Sequence, residues 1–187
     1  MDDSVSAVVG RLIDVLEPSG VTYAFGDAIA LAAWSEPRAT ADVDVILWLD
    51  DSRMDEAVRL VQSAGVALDP ATAKREAQAR GMFAGMVGAT RVDVFVPSIP
   101  FYAEAERRRV RTEIVGRDTW IHSAEVLAVF KLLFFRPKDL IDVERMVAVR
   151  GGEFDRPFVR AALVDMLEED ERIAAFDGLC ERADRRG

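Results

Sequence analysis

The stretch "EPRATADVDVILWL", Glu36 to Leu49, decides the fold. Val43, Val45 and Leu47 alternate with Asp42, Asp44 and Ile46, the period-two pattern of a strand with one buried face. Aspartate is among the poorest strand formers, so two on one face break a local rule, and such breaks mark functional sites. Two residues of strand set the Cα atoms of Asp42 and Asp44 about 6.5 Å apart, from a rise of about 3.3 Å per residue. At that spacing two carboxylates grip one metal ion or bracket two ions about 3.5–4 Å apart.

A second strand repeats the pattern. In "RVDVFVP", Val92, Val94 and Val96 share one face and Asp93 takes the other. If the two strands are neighbours, Asp42, Asp44 and Asp93 converge as catalytic and metal-binding acids. A purely carboxylate donor set suits Mg²⁺ or Mn²⁺, and Mg²⁺ completes its octahedron with water and substrate phosphates. The competing reading is a solvated strand face on which the acids are merely polar.

Upstream, "VTYAF" reads as a short buried strand, Gly26-Asp27 as a turn, and "AIALAAW" as a helix. A glycine at that turn lets backbone approach a ligand, and the helix N-terminus offers free N–H groups to phosphate. Arg38 is either a phosphate contact or an ordinary loop arginine, and Thr40 either a nucleotide contact or a turn cap. Downstream come a helix over "DDSRMDEAVRLVQSAG" with a Ser cap and Gly65 as stop, then a polar helix over "DPATAKREAQARG". "MFAGMV" and "RVDVFVP" form two strands joined through Gly88. After Pro100 follow a short helix, a hairpin-like strand pair over "RVRTEIVGRDTWIH", and from Ser123 onward helices, the last of them short. The expectation is an α+β fold: a small mixed sheet flanked by helices over residues 1–100, and a mostly helical part over 101–187.

Composition narrows the chemistry. A length of 187 residues, half of them hydrophobic, supports a proper core without staples. One cysteine, Cys180, excludes an internal disulfide and a cysteine-based zinc site, and one histidine, His122, excludes a two-His metal site. The N-terminal residues lack a secretory pattern and no apolar run is long enough for a membrane span, so a cytoplasmic setting without membrane contact is expected. A net charge of −9 makes the chain a poor general binder of polyanions. The one basic cluster is "ERRRVR", with Arg107 to Arg111; it reads as a guide for RNA or as a solvated basic edge.

The C-terminal part carries one further signal. In "AEVLAVFKLLFF", Lys131 is the only basic residue of a helix that is apolar almost all round. Such a helix is buried, and a buried ammonium needs a partner; the alternative is a lysine that snorkels to solvent. "RPKDLIDVERM" then opens a helix with Pro137 in its first turn. Asp139 suits that N-terminus through the helix dipole, Asp142 lies three residues on along the same face, and Arg136 and Lys138 are candidate phosphate contacts.

Taken together, "YAFGDAIALAAWSEPRATADVDVIL" (Tyr23–Leu47), Asp93 and "AEVLAVFKLLFFRPKDLIDVERMV" (Ala124–Val147) resemble the DNA-polymerase-β-like nucleotidyltransferase superfamily. Within it they look most like the AbiEii-type group, which includes toxins of toxin–antitoxin systems. The resemblance implies transfer of NMP from NTP to an acceptor hydroxyl on a tRNA end, a protein or a small molecule, with Mg²⁺ (or Mn²⁺) on Asp42, Asp44 and Asp93. It implies a nucleotide site drawn from Gly26, Asp27, Arg38, Thr40, Lys131, Arg136, Lys138, Asp139 and Asp142, and an antitoxin as a candidate partner. The chain departs from the pattern at Asp27, where the family usually has Gly or Ser facing the phosphates. A carboxylate there repels a triphosphate unless it turns away, caps the helix or joins the metal shell. The alternative is therefore an inert nucleotidyltransferase-like domain that binds nucleotide or a partner protein.

Overall fold

The computed structural model describes residues 3–185. In chain order the elements are α1 (Val5–Leu16), β1 (Tyr23–Phe25), α2 (Asp27–Trp34), β2 (Asp42–Leu47), α3 (Met54–Ser63), α4 (Pro70–Arg80), β3 (Met82–Val87), β4 (Thr90–Phe95), α5 (Phe101–Arg107), β5 (Arg109–Ile114), β6 (Arg117–His122), α6 (Ala124–Phe134), α7 (Pro137–Arg150), α8 (Arg156–Leu167) and α9 (Glu171–Asp184). Two compact units result. One comprises the chain up to Ile29 together with Ala39–Ile121; the other comprises Ala30–Arg38 and the chain from His122 onward.

The first unit is built on a six-stranded mixed sheet of order β3-β4-β2-β1-β6-β5. Strand β2 lies inside it, antiparallel to β1 and parallel to β4. Its alternation settles its orientation: Val43, Val45 and Leu47 are fully buried, as are Val92 and Val94 of β4. A one-residue slip would turn all of these to the other face. Helix α1 buries Val8, Val9, Leu12, Ile13 and Leu16 and packs on β2 and α3, while α4 packs on β3. The outer edge of β3 is closed by Ala67, whose N–H and carbonyl exchange hydrogen bonds with Met86 at 2.8 and 3.0 Å. Gly85 permits this approach, since a Cβ there would stand 2.4 Å from a Val66 methyl and 2.9 Å from the Ala67 oxygen.

The second unit packs α6 against α7 and α8, and α9 against α7 and α8. Leu127, Val129, Leu132, Val143, Met146, Val159, Leu163, Phe176 and Leu179 fill its interior. Trp34 anchors the 30–38 segment there, donating from Nε1 to the His122 carbonyl at 2.8 Å, with the Arg150 guanidinium 5.3 Å from its ring centre. Among the described residues no helix is long and apolar enough to cross a membrane.

Two local expectations need correction. Ser52 does not cap α3: a 3₁₀ turn over Asp51–Arg53 precedes it, and Asp50 caps that turn by accepting from Ser52 N at 2.9 Å. The charged carboxylate one step upstream of the turn is positioned to accept the orphan amide, so the turn starts at Asp50 rather than at Ser52. The last helix is not short; α9 runs 14 residues because Ile173, Phe176, Leu179 and Ala183 keep one face buried.

The chain's two tyrosines report on this packing. Tyr23 shares its hydroxyl with Glu17 (2.7 Å) and Thr119 (2.9 Å). Burial pushes it up to about 12, with the Glu17 charge acting in the same direction; burial alone pushes Tyr102 up to about 12. Both folded values exceed the unfolded value of about 10. Their contribution to stability is therefore complete below pH ~10 and is lost as pH rises toward ~12. An alkaline titration should show almost no tyrosinate absorbance near pH ~10 in the native protein and about half ionisation there in denaturant. Early ionisation with an intact circular-dichroism spectrum would contradict this packing.

Candidate functional site

Parallel pairing of β2 with β4 sets Asp42 beside Arg91, Val43 beside Val92, Asp44 beside Asp93 and Val45 beside Val94. Paired strands lie about 4.8 Å apart and side chains alternate, so Asp42, Asp44, Arg91 and Asp93 share one face. Exposure falls along it: Asp42 is exposed, Asp44 and Asp93 are half-buried, and Ile46 is buried. The acids therefore stand where the face passes from solvent to core.

Arg91 also belongs to this group. Its Nε and Nη2 both reach Asp93 Oδ1 at 2.8 Å. The hydrogen bond and charge of Asp93, and then the charge of Asp42, hold Arg91 above its ordinary pKa. The same period-two spacing that singled out Asp93 places Arg91 on its face, two residues upstream.

The glycine turn lies against this group. Gly26 N donates to the Asp44 carbonyl at 2.9 Å, an extension of the β1–β2 ladder past Phe25 and Val45. Asp27 is the first residue of α2, with a positive φ of 29°, which is uncommon outside glycine. Thr40 is a turn cap: its Oγ1 accepts from Asp42 N at 3.1 Å and donates to Asp42 O at 3.0 Å, which fixes the start of β2.

Arg38, Lys131, Arg136, Asp139 and Asp142 form a charge cluster inside the second unit. Lys131 is 2% exposed and does not snorkel; Nζ donates to Asp142 Oδ2 at 2.8 Å and lies 3.6 Å from Asp139 Oδ1. Arg38 Nε reaches the same Asp142 oxygen at 3.3 Å. Asp139, wholly buried, accepts from Arg136 N at 3.1 Å, Nε at 2.6 Å and Nη2 at 3.0 Å. It is thus both the cap of α7 and the partner of Arg136, whose guanidinium also sits 5.1 Å from the Phe134 ring centre. The Arg136 and Lys138 side chains lie in exposed positions.

The basic cluster is engaged within the first unit. Arg107 and Arg108 pair with Glu104. Arg109 donates to the Tyr23 carbonyl at 3.0 Å and lies 5.4 Å from the Trp48 ring centre and 4.8 Å from that of Trp120. Arg111 pairs with Glu17 at 2.7 Å. His122 is buried, its ring stacked on Phe130 at 5.1 Å. A cavity of about 740 Å³ lies at the opposite end of β2 from Asp42, with Trp48, Asp50, Asp51 and Glu106 in its wall. It is lined by none of the predicted site residues.

No protein-family model matches the chain, and no curated protein matches it. Solved structures do. The solution structure of the antibiotic-resistance factor ANT(2'')-Ia superposes with a TM-score of 0.64 at 17% identity, covering 89% of this chain and 94% of that one. The crystal structure of ANT(2'')-Ia in complex with adenylyl-2''-tobramycin gives 0.59 at 15% identity, covering 92% and 97%. The lincosamide antibiotic adenylyltransferase LnuA, lincomycin-bound, gives 0.53 at 12% identity, covering 79% and 99%. At these identities the likeness establishes the fold, the α+β nucleotidyltransferase fold.

The buried pair yields a stability prediction. Asp142→Ala removes the carboxylate that stands 2.8 Å from the buried Lys131 ammonium, and one-sided loss of a buried pair costs about 3–5 kcal/mol. Urea unfolding of Asp142→Ala should show a loss of that order, while the double change Lys131→Met, Asp142→Leu should lose less than the single one. Equal stability of Asp142→Ala and the parent chain would refute the role of this pair.

Proposed function

We propose that this chain is a divalent-metal-dependent nucleotidyltransferase that moves NMP from NTP to an acceptor hydroxyl. The observation that carries the reading is the register of Asp44 beside Asp93 on β2 and β4, with Asp42 two residues along the same face, in a chain of nucleotidyltransferase fold. The donor set fits Mg²⁺ or Mn²⁺: it is all carboxylate, set at the border of solvent and core. Both Arg91 contacts to Asp93 fall on one oxygen, Oδ1, so the carboxylate is oriented by one atom and offers the other. When bound, the metal offsets phosphate charge and aligns the α-phosphorus for in-line attack.

The chain's own residues supply the rest of this reading. Asp42 and Asp44 hold the metal, and Asp93 is the base for the acceptor hydroxyl or a third ligand. The start of α2, just past Gly26, gives backbone N–H groups to phosphate. By the motif resemblance, Arg38, Thr40, Lys131, Arg136, Lys138, Asp139 and Asp142 belong to nucleotide binding. The exposed Arg136 and Lys138 suit direct phosphate contact, and the buried Lys131 suits support of that segment.

A small-molecule hydroxyl is the acceptor we favour, because ANT(2'')-Ia and LnuA are described with tobramycin and lincomycin adducts or ligands. A tRNA end fits less well: the chain carries −9, and Arg107, Arg108 and Arg111 of its basic cluster are paired with acids. A protein acceptor, an AbiEii-type toxin role with an antitoxin partner, and a cytoplasmic setting rest on the sequence alone. One observation favours a second reading, an inert nucleotide- or protein-binding domain: Asp27 puts a carboxylate at the turn proposed for the phosphates.

Thermal shift with each NTP separates the two. Nucleotide at about 100 times its Kd should stabilise the protein by about 2.7 kcal/mol only when Mg²⁺ is present, and Asp42→Ala should abolish the effect. With labelled NTP and tobramycin, lincomycin, total tRNA or lysate offered as acceptors, Asp44→Ala should lower transfer by about 10²–10³-fold, the scale of losing one charge-stabilising group. Stabilisation that ignores both Mg²⁺ and Asp42→Ala, with no transfer to any acceptor, would select the inert domain.

A further inference from the structure

The two edges of the sheet are treated differently. The β3 edge is closed by the Ala67–Met86 bridge. Strand β5 ends the sheet on the other side and is six residues long, "RVRTEI", without proline or glycine. Natural edge strands are guarded by proline, by bulges or by charge, because a bare edge invites another strand. The only guard on β5 is charge, and its order is the unusual feature.

Antiparallel pairing of β5 with a second β5 about Thr112 places Thr112 opposite Thr112, Arg111 opposite Glu113, and Val110 opposite Ile114. Each partner pair is then matched: a cation faces an anion twice, and an aliphatic faces an aliphatic twice. The faces agree as well, since Val110, Thr112 and Ile114 alternate with Arg111 and Glu113 and are half-buried while the two charged residues are exposed. Opposite charges directly across an antiparallel pair are stabilising and like charges destabilising. The charges that repel unrelated strands therefore attract a copy of the same one.

The present partners of these residues leave room for that pairing. Arg111 sits among acids, with Glu17 at 2.7 Å and Asp118 at 3.8 Å, and gains a third from the copy. Among the described residues no lysine or arginine nitrogen lies within 4.0 Å of the Glu113 carboxylate, so this acid of the strand has no cation beside it.

We propose that the chain forms a two-fold symmetric dimer through β5, in which two six-stranded sheets join edge to edge. The interface is isologous, so each contact occurs twice. One strand pair is a small interface by the standard of permanent dimers, and the association is concentration-dependent. The proposal is independent of the enzymatic reading above.

The symmetry supplies its own test by sedimentation velocity and light scattering on the full chain. The parent protein should dimerise with rising concentration. Arg111→Glu alone places acids opposite acids and Glu113→Arg alone places arginines opposite arginines, so each variant should sediment as a monomer. Mixed in equal amounts, the two variants should form a heterodimer, since every crossed pair is again opposite in charge; that recovery also shows that both remain folded. A parent chain that stays monomeric at every concentration overturns the proposal. So does a dimer that survives both single changes, or a mixture in which the two monomeric variants fail to associate.

Discussion

The structure depends on one constraint, the parallel register of β2 with β4. Five consecutive partner pairs run from Asp42–Arg91 to Ile46–Phe95. The valines of both strands must face the core together, and period-two geometry then leaves no choice for the residues between them. Burial of Val43, Val45, Val92 and Val94, at about 1.5–3 kcal/mol each, thus stabilises an arrangement in which Asp44 and Asp93 stand side by side. Two neighbouring carboxylates repel, and the fold tolerates them because hydrophobic burial on the opposite face is larger and because Arg91 lies on the same face. The core therefore positions the acids.

Much of this was legible because it is periodic. The D-x-D and V-D-V patterns fixed both strands and the face of each acid, and Gly88 marked the hairpin between β3 and β4, with its φ of 57°. The pairing of β2 with β4 was expected only conditionally, since alternation reveals a face but says nothing about which strand lies next door. The α3 start is ambiguous in sequence because serine and aspartate compete for the same capping task, and "DDS" offers three candidates within one turn. Arg91 gives little signal in sequence because it stands near the start of its strand, where charge reads as a boundary.

Lys131 illustrates a different limit. Composition placed it in an apolar helix and so required a partner, but helical periodicity cannot name a partner on the next helix. The structure supplies Asp142 at 2.8 Å and Asp139 at 3.6 Å. Asp139 also caps α7 through the Arg136 amide. One carboxylate thus satisfies a helix terminus, a guanidinium and a buried ammonium, and the "FFRPKD" connection is fixed by the same charges that secure α6 to α7. This explains how Phe135 is held at a positive φ of 56°, a conformation that costs a bulky residue about 1–3 kcal/mol and persists only where its surroundings over-determine it.

The arginines of "ERRRVR" show why a basic run in sequence is a weak guide to a polyanion surface. Attraction to phosphate grows with charge that is not already neutralised. Here Glu104 takes Arg107 and Arg108, Glu17 takes Arg111, and two indole faces with a backbone carbonyl take Arg109. Every one of these partners comes from a segment that the sequence places outside the run or on its flank. Arg109 is the informative member: burial holds it below its ordinary pKa, the signature of a side chain used for packing. Its stem and guanidinium tie the start of β5 to Tyr23 of β1 across the intervening β6, so the positive charge that looks like a ligand contact in the sequence functions as a brace for one end of the sheet.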